Sequence, residues 1–420
     1  MSDARLRRDV VWNLVPVALL AAVGLGSNFA IFHWWDARAL ATFNLVTTAF
    51  FVLAVLGACG LQFSVLRAVA EAPEDPEHVA SVVVGALVPN VLFAAIVTLA
   101  FIALRGPFST MLDSEDVGTG MLVATPGLFC FSINKVLFNV VNGLRRMRAF
   151  AIYTSLRYVM IAVGLVTAHA FGVGAARIAI VWTITEGTMF VVLAGEVVAT
   201  VQLSRARAWR AWMREHVAFG SRGVLATLAA DINSKLDIWM LGASGVDKSL
   251  VGVYSLAGAL NEGAFQLAVV LQNNLNPLIA RALSERRLGD VVELARRTRR
   301  WFVPGFAAAC ALGAVIFPVA MPRLMQDPQL HAGTIPFAIL MVGLAAASPY
   351  LPFAQVLLMA NRPAWHTVMV VTVVAINFIA DLILIPSLGL AGAAIATSLG
   401  IVTLAVLVRV LARRLVPVSI

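Results

Sequence analysis

Apolar residues run along this chain in blocks, separated by short polar, glycine or proline breaks. A helix needs about 20 apolar residues to cross a hydrocarbon core about 30 Å thick. By that measure the blocks predict twelve spanning helices, at 10–32, 41–65, 79–104, 118–141, 151–171, 177–202, 217–242, 250–280, 300–321, 333–360, 366–385 and 390–411. The eighth and tenth run long and are expected to tilt or project beyond the lipid.

The pattern is sharpest from Asn377 to Gly400. It is apolar up to Pro386, turns at Gly389-Leu390-Ala391-Gly392, and is apolar again. Proline lacks an N–H and restricts the residue before it, so Pro386 is expected to stop the first helix. Glycine lets the chain reverse, and Gly392, Ala393, Ala394 and Ala396 let the returning helix pack closely. The first half holds a fainter copy. Gly172 to Ala179 echoes Gly389 to Ala396, and Asn142 before a basic turn echoes Asn361 before Arg362-Pro363. Asn142 and Asn361 are 219 apart, and Gly174 and Gly392 are 218 apart, close to half of 420 residues. Such a period points to an internal duplication. The expected fold is an all-α polytopic membrane protein, with twelve transmembrane helices in two pseudo-symmetric six-helix bundles. The bundles cover 1–203 and 217–420, and 204–216 is a cytoplasmic amphipathic linker.

Composition agrees. The chain is 60% hydrophobic and 13% charged, with mean hydropathy +0.90, outside the range of soluble domains. The net charge of +9 does not imply nucleic acid, because the basic residues sit in short segments between apolar blocks. With the N-terminus inside, twenty-two Lys and Arg fall on the cytoplasmic side and five opposite. The positive-inside rule therefore puts both termini in the cytoplasm. The run after Arg5, Arg7 and Arg8 is too long for a signal peptide and reads as an uncleaved first helix. Cys59, Cys130 and Cys310 lie in apolar blocks and read as packed thiols. The linker places Trp209 and Trp212 among Arg207, Arg210 and Arg214, as in a helix lying at the inner membrane surface. Its role is to join the bundles or to hold anionic lipid. The acidic run Glu71 to Glu77 reads as a solvated loop.

Charge within the spanning segments is the candidate chemistry, because each costs at least ~2.5–3.5 kcal/mol in the hydrocarbon zone. The cations are Lys135, Arg157, Arg222 and Lys235, and the acids are Glu186, Glu196, Asp231, Asp237, Glu262 and Asp381. Lys135 and Arg157 lie at similar depth, about 12 Å from the inner surface at 1.5 Å per residue. They read either as a cationic floor suited to a diphosphate or as side chains snorkelling to inner headgroups. Glu186 is placed to pair with Arg157. Glu196 is expected near the inner end and Asp381 near the outer surface. Asp231 and Lys235 are spaced to pair along one helix. Arg222 and Asp231 point to opposite faces, so one needs a partner elsewhere, such as Glu262. An unpaired Asp231 or Glu262 would be a candidate proton carrier. Arg67, after the second helix, is a candidate cytoplasmic gate residue.

Enzyme signals are missing from the sequence. Gly242 to Ser249 has Asp247 where a phosphate loop needs its second glycine. The six histidines give no metal spacing, there is no Gly-x-Ser-x-Gly elbow, and the outer loops are short.

Four stretches resemble the polysaccharide transporter family: Leu56 to Leu61 with Arg67; Asn142-Gly143 with its basic turn; Asp237 to Gly242 followed by Val251 to Ser255; and Asn377 to Thr397. This family of lipid-linked oligosaccharide flippases shares a superfamily with multidrug and toxin extrusion antiporters and lipid II flippases. The resemblance implies two bundles around a central cavity and alternating access. It implies export of a polyprenyl-diphosphate-linked oligosaccharide across a bacterial cytoplasmic membrane, without catalysis. Membrane lipids and the glycan substrate are the implied partners, with polymerase and chain-length proteins of an envelope pathway. No cofactor is expected, and a proton or sodium ion would be the coupling ion. The substrate residues would be Lys135, Arg157, Arg222 and Lys235, and the coupling acids Glu186, Asp231 and Glu262. Helix one lacks the basic residues of lipid II flippases, and the buried charge is not positive overall. A cation-coupled multidrug antiporter is the alternative reading.

Overall fold

The computed structural model describes residues 19, 22–24, 26–31, 33–35, 37–111, 114–244, 246, 248–325 and 328–416. The expected first helix, 10–32, falls mostly outside the described residues, as do Arg5, Arg7 and Arg8. The elements that follow are helical: α1 (Ala37–Ala58), α2 (Leu61–Glu71), α3 (Pro76–Met111), α4 (Glu115–Gly143), α5 (Met147–Ala170), α6 (Ile180–Thr200), α7 (Trp209–Ala243), α8 (Lys248–Ser284), α9 (Leu288–Met325), α10 (Thr334–Ala347), α11 (Val356–Met359), α12 (Pro363–Leu388) and α13 (Leu390–Leu415). Among the described residues eight helices are long and apolar enough to cross a membrane, or nine if α1 and α2, bent by 47°, count together as one span. The protein is an all-α polytopic membrane protein, as its apolar blocks predict. Two compact units divide the chain, Met1–Val224 and Leu225–Ile420.

In the first unit α4 is the central helix, packed against α1, α2, α3, α5 and α6. Small residues on α4 make this possible. A Cβ on Gly127 would meet the α6 backbone at Trp182 and Thr183, and one on Gly120 would meet Val46 of α1. In lipid, where no hydrophobic drive separates helices from tails, such close approach is what holds them together. Phe50, Phe131 and Trp182 fill the space among α1, α4 and α6. The break between α1 and α2 falls at Cys59 and Gly60, both with positive φ (46° and 71°). At this bend Gly60 lies against the backbone of Gly220, 3.2 Å from where its Cβ would stand.

The stretch expected as a separate surface linker is different in form. Residues 209–224 are the start of α7 and belong to the first unit. Trp212 packs edge-on to His78 and stacks on His216, and the N–H of Ala208 donates to Ser81 Oγ at 3.1 Å. The acidic loop is also more than solvated. Asp75 Oδ1 accepts the N–H groups of Glu77 and His78 at 3.0 and 3.1 Å and so caps α3.

In the second unit α12 and α13 form a tight hairpin, and α10 packs on α13. Pro386 does not stop α12, which continues to Leu388. The stop is Gly389, at φ 55°, and α13 begins at the next residue. The lost N–H at Pro386 is tolerated so near a helix end, whereas the reversal needs positive φ. The turns recur in backbone terms, with Gly172 matching Gly389 as in the sequence and one counterpart shifted. The counterpart of Asn361 (φ 58°) is Arg145 (φ 56°) rather than Asn142, and that of Gly389 is Gly172 (φ 63°). At Arg145 and Asn361 the next N–H reaches back five positions: Arg146 to Val141 O and Arg362 to Leu357 O. This is the Schellman arrangement.

Replacing Gly220 by Ala should drive a methyl into the Cys59 carbonyl and cost about 1–3 kcal/mol. Gly187→Ala meets nothing within 4 Å and should leave the thermal melt in detergent unchanged. Equal melting of both variants would show that the bend is not held by this contact.

Candidate functional site

Residues 131, 134, 135 and 138 share one face of α4, by the 3.6-residue period. That face brings together the charges of the first unit. The Arg157 guanidinium, on α5, sits over the rings of Phe131 and Phe138, 5.0 and 4.7 Å from their centroids. The Lys135 ammonium lies 5.3 Å from the same Phe131 ring. Opposite, on α6, Glu186 is fully buried. Arg157 Nη2 donates to Glu186 Oε2 at 3.0 Å, and Nε lies 2.9 Å from Oε1. Asn134 Nδ2 donates to the same carboxylate at 2.9 Å and to the Glu186 carbonyl at 3.0 Å. The anticipated Arg157–Glu186 pair is thus present, and Lys135 shares its aromatic face. Lys135 and Arg157 thus gather on one ring, and Arg157 also meets Glu186. The aromatic quadrupole stabilises both cations in a low-dielectric setting.

Arg67 lies at the other polar centre of the first unit. It is buried and paired with Glu71 on its own helix and with Glu215 of α7 at 2.6 Å. Beside it His216, fully buried, shares a hydrogen bond with Ser64 Oγ at 2.7 Å and contacts Val82 O at 3.1 Å. These contacts bind the start of α7 to α2 and α3. Near the C-terminal end of α6, Glu196 is mostly buried. It pairs with Arg146 and accepts a hydrogen bond from Tyr153 at 2.9 Å. At the turn before α9, outside the spanning segments, the hydrogen bond from Arg281 Nε (2.8 Å) holds the Glu285 carboxyl below its ordinary range, and Arg287 adds to the effect.

The remaining sequence-derived candidates stand apart. Arg222 is exposed, and Glu262 is exposed and accepts from Gln266 one turn along α8 at 2.8 Å. The side chains of Asp231 and Lys235 lie outside the described residues.

The second unit holds a cluster that sequence reasoning did not assemble. Asp237 on α7 accepts from Asn377 Nδ2 at 3.0 Å and from Tyr254 Oη at 3.0 Å, and also from Thr397 Oγ1. Asn377 Nδ2 lies 3.2 Å from Asn233 Oδ1. Asp381, one turn beyond Asn377 on α12, is fully buried and interacts with Asp237. It does not reach the outer surface, as expected from its distance to Pro386, because α12 does not end there. Neither Asp381 oxygen accepts a hydrogen bond from the described residues. All these residues except Asn233 fall in the stretches that carry the family resemblance: Asp237, Tyr254, and Asn377 to Thr397. Two adjacent carboxylates with amide and hydroxyl oxygens around them are a place for a proton or a hard monovalent cation.

Arg157→Ala should leave Glu186 buried without its cation and cost about 3–5 kcal/mol. Arg157→Ala with Glu186→Ala should recover most of that loss. Thermal unfolding in detergent reads both, and a single variant as stable as the parent would mean that the pair is not maintained.

Residues 37–284 match the family described as polysaccharide biosynthesis protein. No curated protein matches the chain in sequence. Among solved structures, the MATE transporter VcmN of Vibrio cholerae in its bent form superposes with a TM-score of 0.83 at 14% identity, covering 98% of this chain and 96% of that one. A mutant of the same transporter gives 0.84 at 13% identity, with 98% and 97% covered. A MOP superfamily transporter from Pyrococcus furiosus, described as having reversed polarity in its binding pocket, gives 0.80 at 14% identity, with 97% and 95% covered. The fold is therefore that of the MATE transporters, and the chain belongs to the family described as polysaccharide biosynthesis protein.

Proposed function

We propose that this protein moves a polyprenyl-diphosphate-linked oligosaccharide from the inner to the outer leaflet of a bacterial cytoplasmic membrane, without chemistry on the substrate. The observation that carries this reading is the pair of cations gathered on one aromatic ring of the first unit: Lys135 and Arg157 both lie against Phe131. A diphosphate in transit needs such a partner, because an unpaired charge in oil is costly. Lys135 supplies a point charge that can follow a moving anion. Arg157, already held by Glu186, engages it as that pair opens. The sugar cannot cross hydrocarbon unaided, whereas the polyprenyl tail can stay in the lipid while the head passes by alternating access.

The coupling ion, sodium or a proton, fits the Asp237–Asp381 cluster of the second unit. Neutralising one carboxylate there would relieve the repulsion between the two. The assignment moves coupling from Glu186 and Glu262 to Asp237 and Asp381, since Glu186 is committed to Arg157 and Glu262 is exposed; the side chain of Asp231 lies outside the described residues. The same acidic cluster supports the second reading, a cation-coupled multidrug antiporter, in which the Lys135 centre would be incidental.

In a strain lacking the parent gene, the wild-type chain should restore surface polysaccharide and Lys135→Ala should lower it at least tenfold at equal membrane abundance. Restored drug resistance without any change in surface glycan would select the antiporter. In proteoliposomes, Asp381→Asn should remove the dependence of transport on a sodium or proton gradient. An unchanged gradient response would take that residue out of coupling.

A further inference from the structure

The first unit carries an apolar groove with a basic end, and nothing in the transport reading uses it. Its floor is α4, through Ile133, and its walls are α3, through Leu87 and Val91, and α6, through Phe190 and Val198. The groove has a volume of about 360 Å³. α3 and α6 each pack tightly on α4, and Val91 and Val198 remain exposed at the rim. After α6 ends at Thr200, the chain crosses towards α3 in a short turn, Leu203–Arg205, and Leu203 closes that end of the groove. The crossing is pinned by the hydrogen bond from the N–H of Ala208 to Ser81. Arg205, Arg207 and Arg210 follow directly and are exposed.

Length selects the occupant. The α4 residues lining the groove run from Phe129 to Leu137, which is about 12 Å at 1.5 Å per residue. One leaflet of the hydrocarbon core is about 15 Å deep. The groove therefore covers most of one leaflet and stops near the midplane. Its arginine-rich end is on the side that the charge distribution makes cytoplasmic. A tail in it belongs to a lipid that stays in the inner leaflet, not to one that is exported.

We infer that the α3–α4–α6 groove holds one acyl chain of an anionic phospholipid of the inner leaflet, with its headgroup on Arg205, Arg207 and Arg210. The bound lipid fastens the chain crossing, and with it the start of α7, to α3. Apolar burial provides adhesion and the arginines provide headgroup selection, each worth about fivefold near an anionic surface.

The test uses the full-length protein, purified from membranes and exchanged into nanodiscs of phosphatidylcholine with one-fifth phosphatidylglycerol. Native mass spectrometry after release should show one retained phosphatidylglycerol in at least tenfold preference to phosphatidylcholine. Replacing Arg205, Arg207 and Arg210 together by Gln should remove that preference, and 0.5 M salt should weaken it. Ala194→Phe, which fills the groove from α6, should lower retention of either lipid at least fivefold. The arginine variants are on the surface and keep the test open should Ala194→Phe not fold. Equal retention of the two lipids by the wild type, or a preference that survives the triple Gln variant, overturns the inference. So does displacement of phosphatidylglycerol by added polyprenyl phosphate, which would assign the groove to the transported lipid's tail.

Discussion

A charge inside a bilayer must be answered by another charge, a polar donor or an aromatic face, and this requirement organises the interior of the protein. Glu186 is fully buried. It stays tolerable because Arg157 and Asn134 meet it from two other helices. Three helices of the first unit are thereby tied at one point, and the geometry of α4 determines which side chains can attend. Phe131 serves twice, as packing for Phe50 and as the ring against which both cations rest. Removing a single charge here therefore tests the joining of three helices at once.

The two repeats use the same backbone devices for different chemistry. Left-handed turn residues recur at Arg145 and Asn361, and again at Gly172 and Gly389. Yet in the first unit Arg157 and Lys135 gather on one aromatic ring, whereas in the second Asp237 gathers amide and hydroxyl donors. A duplicated scaffold can diverge in this way because turn geometry depends on backbone conformation at one or two positions, whereas the polar residues sit on helix faces that tolerate exchange once a partner exists.

Individual residues show how far the chain could be read in advance. Arg157 and Glu186 were pairable from depth alone, since both lie on long apolar helices with few other options. Lys135 joined them because the helical period puts it on the face of Asn134 and Phe131. Asp237 is visible in the sequence as an acid within an apolar helix, but Asp231 and Lys235, four apart, offer a nearer pairing there. Its true partners lie 17, 140 and 160 residues away, and no local spacing reveals them. Asp381 was misplaced by one assumption, that Pro386 ends its helix. The helix runs on to Leu388, and a few residues of helix move a side chain from interface to interior.

Hydrophobic block length, the sign and position of arginines, and the glycine turns settle the fold class, the spans and the existence of a repeat, because each acts locally or through the lipid. The closeness of Asp237 to Asp381, the burial of Arg67 between two glutamates and the docking of residues 209–224 on α3 belong to tertiary structure. They depend on how helices rotate about their axes and approach through small residues, and in a membrane that rotation is set by neighbouring side chains rather than by any periodic apolar stripe.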